Sequence, residues 1–436
     1  MLYNEPSPLE VRILTRRFGL PDSASLDTYL ATEGFAGFRK ALAMKPEEIL
    51  EQVKISNLRG RGGAGFPTGL KWGFVPRDSG KPRYIVVNAD EGEPGTCKDR
   101  LLMENDPHQL IEGMLIAGLV VGARTGYIYV RGEYRYVIEV LERAIEECRQ
   151  RGYLGRNILG RGFDFEAYTH TGAGSYECGE ESALLESLEG KRGVPRIRPP
   201  FPAVAGLYRC PTVLNNVESY SSIPAILREG GAAFAALGTP RDGGTRLFCI
   251  SGHVNRPGVY ELPVGFNLLR MIHEVAGGVR DGKKLKAVIP GGSYCPVLRA
   301  DECDLAMDYD SVAKAGSMLG SGGVIVIGED ACMVRVASRI MRFYAHESCG
   351  WCIPCREGTA WLRKLLARFH AGGATRSDLE LIGDVARNML GRTFCPLGDA
   401  AAMPTISLVE KFRDEFEAHL DGRECPFKST VSEAAA

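Results

Sequence analysis

The chain has 436 residues, 44% of them hydrophobic and 25% charged, the balance of a soluble globular protein too long for one core, and its length suggests about three domains. Fifty-three basic against 54 acidic side chains leave a net charge of −1, so no overall field draws in nucleic acid or anionic lipid. The longest apolar run, residues 114–123, falls short of the ~20 residues that span a bilayer, so a disordered tail, a membrane protein and a small disulfide scaffold are excluded.

In chain order, residues 1–72 read as helices and loops, with Pro46-Glu47-Glu48 opening a short helix that ends before Gly60. Glu5 and Glu10 and the lack of an apolar stretch argue against a secretory signal or a transit peptide. From Lys81 strands and helices alternate. Tyr84–Val87 is a strand, and Pro107 after Asp106 opens an amphipathic helix to about Val121. Tyr127–Val130 is a second strand, Tyr134–Arg151 a charged helix, Asp164–Thr169 a third strand, and a helix over Glu180–Leu188 follows a Gly-rich loop. This order predicts a parallel or mostly parallel sheet, with ligands held by loops at the carboxyl ends of the strands. Two such loops, 88–95 and 171–181, are rich in glycine and carboxylates. The stretch Pro195–Pro211 is expected to cross the surface as an extended segment.

From about Thr245 a smaller unit begins. Arg246–His253 and Val259–Leu262 form a hairpin around Asn255-Arg256-Pro257-Gly258, Phe266–Val275 is a helix, and Lys286–Ile289 and Val324–Ile327 are further strands, a pattern resembling β-grasp. After Asp330 the pattern is helical: Met333–Ala345, Thr359–Phe369, Asp378–Leu390 and Thr405–His419 can form a small bundle. The tail 429–436 is expected to fray. The expected division is therefore 1–72, 73–240, 241–329 and 330–436.

The strongest chemical signal is Cys349, Cys352 and Cys355 at steps of three, with Cys395 further on. Three thiolates at that spacing do not share one straight helix face, so a loop wrapped around a ligand is expected. A [4Fe–4S] cubane suits three close cysteines and a distant fourth; zinc, with His346 nearby, and reduced structural thiols are the other readings. The remaining nine of 13 cysteines are scattered and read mainly as buried thiols.

The run Gly60-Arg61-Gly62-Gly63-Ala64-Gly65-Phe66-Pro67-Thr68-Gly69 lets backbone N–H groups approach a phosphate or a flat ring. It lacks the strand before it that a dinucleotide fingerprint requires, so a plain Gly-rich turn stays open. Arg59, Arg61 and Lys71 add positive charge. Asp90, Glu91, Glu93, Glu180 and Glu181 gather at two strand ends, where carboxylates can accept hydrogen bonds from ribose hydroxyls and disfavour a 2′-phosphate; a solvated acidic surface is the plainer reading. Phe66, Phe74 and Phe201 can stack on adenine or fill the core, and Asn215-Asn216 can cap a helix or hold a phosphate. A nicotinamide gives up electrons in pairs and an iron–sulfur cluster takes them singly, so a chain carrying both sites needs a flavin between them.

At these residues the chain resembles the NADH- and FMN-binding F (51-kDa) subunits of respiratory complex I. The likeness is carried by residues 58–69, by Asn88-Ala89-Asp90-Glu91-Gly92-Glu93-Pro94-Gly95-Thr96, by Gly172-Ala173-Gly174-Ser175-Tyr176 with Cys178-Gly179-Glu180-Glu181, and by the run around Cys349, Cys352 and Cys355. The resemblance implies an α/β fold: a Rossmann-like FMN-binding domain, a ubiquitin-like β-grasp domain and a C-terminal helical bundle that binds the cluster. It implies FMN cradled by Gly60, Arg61, Gly62, Lys71, Asn88, Asp90, Glu91, Tyr176, Glu180, Asn215 and Asn216, with Gly63, Ala64, Gly65, Pro67, Thr68, Gly69 and Gly179 also in the cofactor site. NADH is expected over the flavin, its adenine against Phe66, Phe74 and Phe201. Glu93 is expected near the nicotinamide and Glu181 near the adenosine ribose, where it selects against NADPH; Cys349, Cys352, Cys355 and Cys395 are expected to hold the cluster.

The implied activity is NADH oxidation within NADH:quinone oxidoreductase. The implied partners are a [2Fe–2S] thioredoxin-like subunit and a large multi-cluster subunit, with no nucleic acid and no direct membrane insertion, on the cytoplasmic side of a membrane. Arg198 stands where such subunits often carry Lys, and Cys97 where an aromatic is more usual. Diaphorase subunits of NAD-linked hydrogenases and formate dehydrogenases share this core. Several carry extra cluster segments, whereas here no cysteine precedes Cys97 and only Cys425 follows the cluster set. A zinc-stabilised, non-catalytic binding module is the alternative from a different class.

Overall fold

The computed structural model describes residues 6–423 and 425–427; the tail 429–436, expected to fray, lies outside the described residues. Short helices open the chain: α1 (Leu26–Ala31), α2 (Ala36–Ala41), α3 (Pro46–Ile55) and α4 (Thr68–Gly73). The first α/β unit follows with β1 (Tyr84–Ala89), α5 (Lys98–Asn105), α6 (Pro107–Val121), β2 (Thr125–Val130), α7 (Arg135–Gln150), β3 (Glu166–Thr171), α8 (Glu181–Leu188), α9 (Pro202–Ala205), β4 (Thr212–Asn216), α10 (Val217–Glu229) and α11 (Gly231–Ala235). Its four strands run in the order β3-β2-β1-β4, and every pairing is parallel.

Strand β1 is covered on both faces, as parallel strands are. Ile85 and Val87 point into the main core with Ile111, Met114 and Tyr220, while Val86 points the other way, toward Leu184, Leu185 and Leu207. The order of the chain reverses between β1 and β4, and such a reversal opens a crevice at the strands' carboxyl ends. Asn88 of β1 stands beside Asn216 of β4 in register there. Strand β4 ends on Asn215-Asn216, the pair whose sequence suits either a cap or a ligand contact. The stretch from Pro195 to Pro211 is not extended throughout, because α9 and a 3-10 turn over Leu207–Arg209 fold it back.

The second unit holds β5 (Thr245–Gly252), β6 (Gly258–Pro263), α12 (Leu268–Arg270) running on into a π-helical turn over Met271–Val275, β7 (Leu285–Ile289), β8 (Leu298–Arg299), α13 (Tyr309–Lys314) and β9 (Gly323–Gly328). Its sheet has the order β6-β5-β9-β7-β8. The central pair β5 and β9 is parallel and the outer pairs are antiparallel, which is the β-grasp arrangement expected.

The last unit is helical: α14 (Met333–Glu347), α15 (Ile353–His370), α16 (Arg376–Met389), α17 (Pro396–Lys411) and α18 (Arg413–Glu417). The fourth long helix starts directly after Cys395, earlier than the Thr405 start expected, with Pro396 at its first position where a missing N–H costs nothing. Among the described residues no helix is long and apolar enough to cross a membrane. Even α6, the most apolar, is a core helix between the sheet and α10.

Candidate functional site

Two adjoining sites emerge, one built on sulfur and one at the sheet's switch point. Cys349 follows α14, Cys352 caps the amino end of α15, Cys355 lies in its first turn, and Cys395 caps the amino end of α17. All four line one pocket, with Glu177, Pro195, Ser348, Trp351, Phe394 and Leu397. The expectation of a cysteine loop therefore needs correcting: the third cysteine stands on a helix. Gly350, at φ +75°, turns the chain between Cys349 and Cys352. Two helix amino ends aimed at the pocket favour negative charge there.

Burial pushes the Cys355 thiol up to about 11, with the neighbouring thiols adding to it, and burial followed by the Glu177 carboxylate raises Cys395 further. Arg192 stands beside the pocket and donates to the Cys349 carbonyl, but one guanidinium cannot balance four ionised sulfurs, which call for metal charge. That donor set fits an iron–sulfur cubane, and His346, the extra ligand of the zinc reading, is not in the lining. The rings of Trp351 and Phe394, 4.5 Å apart between centroids, sit over the pocket.

The second site is the crevice. Residues 60–66 form a loop closed by the Gly60 N–H donating to the Phe66 carbonyl and by a bridge between Arg59 and Pro67. Gly62, Ala64 and Phe66 are exposed while Arg61, Gly63 and Gly65 are buried. Gly65, at φ +66°, has room for no side chain: a Cβ would meet the Tyr309 ring at 2.4 Å. Tyr309, from the second unit, also donates its hydroxyl to the Gly60 carbonyl.

The Arg61 guanidinium is turned away from the crevice. It is fully buried, 2.7 Å from Asp242 and bonded to the Gly243 and Thr245 carbonyls, and the residue's backbone N–H donates to Ser219 Oγ, so it holds the loop in place. Thr68 and Gly69, buried in the start of α4, and Pro67 before them likewise belong to the loop's footing.

Several other expected residues are also committed to the scaffold. Glu91 accepts the Asp99 and Arg100 N–H groups at the start of α5, and burial pushes its carboxyl up to about 8. Asn215 accepts the Trp72 indole N–H. Asn216 caps α10 and donates to Asp99, the cap of its two readings. Glu180 caps α8 through Ser182 and Ala183, and Asn88 donates to the Gly179 carbonyl.

Asp90, directly after β1, has Oδ2 buried with no hydrogen-bond partner among the described residues, and burial pushes its carboxyl up to about 7. Such an orphan acceptor suits a hydroxylated ligand. Lys71 and Arg198 each stand 3.0 Å from Glu181; burial acts to raise this carboxyl, and the two cations outweigh it and hold it below its ordinary value. Phe66, Phe74 and Phe201 are 47%, 58% and 57% exposed, which excludes the core reading. The Phe66 and Phe74 rings lie 6.0 Å apart.

Glu93 is bound by Tyr176 Oη at 2.6 Å and by the Ser293 N–H and hydroxyl. Burial pushes its carboxyl up to about 7 in spite of those donors. Ser293, Tyr294 and Tyr309 reach the site from the β-grasp unit, and Glu177 reaches the sulfur pocket from the α/β unit. Sequence reading missed all four, because nothing local marks a side chain whose partner lies some 200 residues away. The two sites share one turn: over Tyr176–Gly179, Tyr176 binds Glu93 while Glu177 lines the sulfur pocket.

The chain matches the Nuo51 FMN-binding domain over residues 53–225, an SLBB domain over 246–327 and the iron–sulfur binding region of NADH-ubiquinone oxidoreductase F over 335–419. It is 54% identical over 416 residues to the second F subunit of NADH-quinone oxidoreductase from Rhizobium meliloti (strain 1021), covering 95% of this chain and 99% of that one. It is 50% identical over 433 residues to the NADH-quinone oxidoreductase F subunit of Streptomyces coelicolor (strain ATCC BAA-471 / A3(2) / M145), covering 99% and 96%. Among solved structures it is similar to an NAD+-reducing [NiFe]-hydrogenase in the H2-reduced state, with 39% identity, a TM-score of 0.80 and 89% of this chain covered; the match takes in 65% of that longer chain.

Proposed function

The chain belongs to the family of NADH-quinone oxidoreductase F subunits, and from that premise we propose how its residues divide the work of NADH oxidation. The protein is an NADH dehydrogenase subunit that uses FMN and a [4Fe–4S] cluster. When bound, FMN supplies the conversion of paired electrons to single ones, and the cluster supplies the one-electron acceptor.

Cys349, Cys352, Cys355 and Cys395 hold the cluster, and Trp351 with Phe394 limit water at it. The exposed face of the Gly-rich loop and the orphan Asp90 carboxyl receive the flavin's phosphate and ribityl ends, with Asn88, Glu91, Glu180, Asn215 and Asn216 fixing the crevice walls. Phe66, Phe74 and Phe201 flank the adenine, and Glu181, held between Lys71 and Arg198, faces the adenosine ribose. Glu93 and Tyr176 keep one shared proton near the nicotinamide end and orient it. The single observation that carries this reading is the 176–179 turn, which contributes one side chain to each site and so keeps donor and acceptor adjacent. The division into 1–72, 73–240, 241–329 and 330–436 belongs to the same proposal and is supported by the two separate sheets and the helical last unit.

As a subunit, the chain works with partner proteins. A [2Fe–2S] thioredoxin-like subunit and a large multi-cluster subunit are the proposed ones, on the cytoplasmic side of a membrane-attached complex. The hydrogenase likeness supports a diaphorase reading as the second choice, but the F-subunit relatives are matched over nearly their whole length. Anaerobic addition of NADH to the purified holoprotein, recording flavin absorbance and ferricyanide reduction, tests the proposal: bleaching with turnover is expected. A flavin-loaded protein that stays oxidised in NADH would overturn it.

A further inference from the structure

At the far end of α14 from the sulfur pocket, three metal-ligating side chains converge outside everything described so far. Cys332, His419 and Cys425 bring one ligand atom each to within 4.8 Å of one another. They come from three places: the residue capping α14, the segment after α18, and the last described stretch of the chain. Cys332 and His419 are buried and Cys425 is half-buried.

The hydrogen bonds around them set each donor up as a ligand. His419 Nδ1 lies 2.7 Å from the Glu415 carbonyl, and a carbonyl can only accept, so Nδ1 carries the proton. Nε2 is then bare, and it points at Cys332 Sγ, 3.5 Å away. Metal-bound imidazoles are commonly fixed in this way, by a carbonyl or carboxylate on the other nitrogen. Cys332 Sγ in turn accepts the Arg335 N–H as the cap of a 15-residue helix.

Cys332 Sγ thus meets the Nε2 of His419 on one side and the Cys425 thiol on the other, so all three ligand atoms close on one point. A tetrahedral zinc ion with Zn–S ~2.3 Å and Zn–N ~2.0 Å separates a sulfur from a nitrogen by about 3.5 Å, the spacing found. Two thiolates and one imidazole are a zinc donor set.

We propose that Cys332, His419 and Cys425 form a second metal centre, a zinc site with its fourth position open to water, that pins the C-terminal segment to the foot of the cluster-binding bundle. The neighbours suit a structural clamp. Glu415, one turn before His419, accepts the Met333 N–H and pairs with Lys286 of β7, and Lys286 also lies 3.9 Å from the centre of the Phe427 ring. One ion thus ties the β-grasp sheet, α14 and the chain's end together. With a rise of ~1.5 Å per residue, α14 separates this centre from the sulfur pocket by about 20 Å. Its role is accordingly structural and separate from electron transfer.

The test uses the full chain carrying its flavin and iron. Zinc per chain is measured by elemental analysis after exhaustive dialysis, in the wild type and in Cys332→Ser, His419→Ala and Cys425→Ser, with X-ray absorption at the zinc edge. The expected result is about one zinc per chain bound by two sulfurs and one or two light atoms, falling at least several-fold in each variant while iron and FMN stay unchanged. Cys425→Ser, at the half-buried position, keeps the test valid if the buried substitutions fail to fold. Wild-type protein without zinc, zinc unaffected by Cys425→Ser, zinc surrounded by four sulfurs as in the cluster pocket, or an intact mass showing Cys332 joined to Cys425 would each overturn the proposal.

Discussion

At the scale of single residues, two carboxylates are treated oppositely by their surroundings, and the proposed function makes selectivity and pH response depend on them. Glu181 is held ionised between Lys71 and Arg198, and Glu180 also pairs with Arg198, so two anions balance two cations and neither cation is left over for a further phosphate. Glu181→Gln leaves both cations without that partner and ready to receive a 2′-phosphate. The kcat/KM ratio for NADH over NADPH is expected to fall at least tenfold, about 1.4 kcal/mol in transition-state terms, and steady-state kinetics with both nucleotides check it. Glu93 is the reverse case: burial lifts its carboxyl from an ordinary 4.5 to about 7. A carboxyl raised on folding favours the folded state fully below its unfolded pKa, and that contribution is lost as pH rises through 7. Glu93→Gln imitates the protonated form, so denaturant titrations from about pH 5 to about pH 8 should show the variant gaining on the wild type by on the order of 2 kcal/mol. A constant difference across that range would refute the assignment.

At the scale of elements, the crevice stands on the packing of α6 against α10 beneath the sheet. Helix α6 is buried on nearly every side, and the two helices touch closely because Gly113 has no side chain. A Cβ there would come within 2.1 Å of the Tyr220 carbonyl oxygen. Gly113→Ala must push the helices apart, at a cost of about 1–3 kcal/mol. Thermal unfolding should move down by several degrees, with flavin released at lower temperature than from the wild type. The sulfur site depends on elements in a different way: α15 and α17 each begin at a cysteine, so the helix ends place ligands that spacing alone assigned to a loop.

At the scale of the whole molecule, buried ions tie the units together. Glu261 of β6 is fully buried and accepts the Ile13, Leu14 and Thr15 N–H groups and two threonine hydroxyls, fastening the N-terminal segment to the β-grasp sheet. The Arg61–Asp242 pair fastens the Gly-rich loop to the approach to β5. Breaking a buried pair by removing one partner costs about 3–5 kcal/mol, because the other charge stays behind. Asp242→Ala should therefore lower stability by that order and weaken FMN retention, read by fluorescence of released flavin, while iron content in the bundle stays the same. Iron lost in parallel with flavin would mean that the loop and the cluster unit do not respond separately.

What the sequence determined by itself was whatever repeats at short range. The strand and helix alternation from Tyr84, the Pro107 helix start, the hairpin around Asn255 and the cysteine steps at 349, 352 and 355 are each legible within a few residues, because backbone propensity and ligand spacing are local. The family signatures extended that reading to the cofactors. The tertiary structure alone decided which groups in those signatures are free. Arg61, Glu91, Asn215 and Asn216 lie in the expected motifs, yet their side chains serve partners on other segments, and a carboxylate or guanidinium gives no sign in sequence of which opposite charge will reach it. The convergence of Cys332, His419 and Cys425 was hidden for the same reason: ligation is a matter of distance in space, and the fold, not the spacing along the chain, brings those three atoms together.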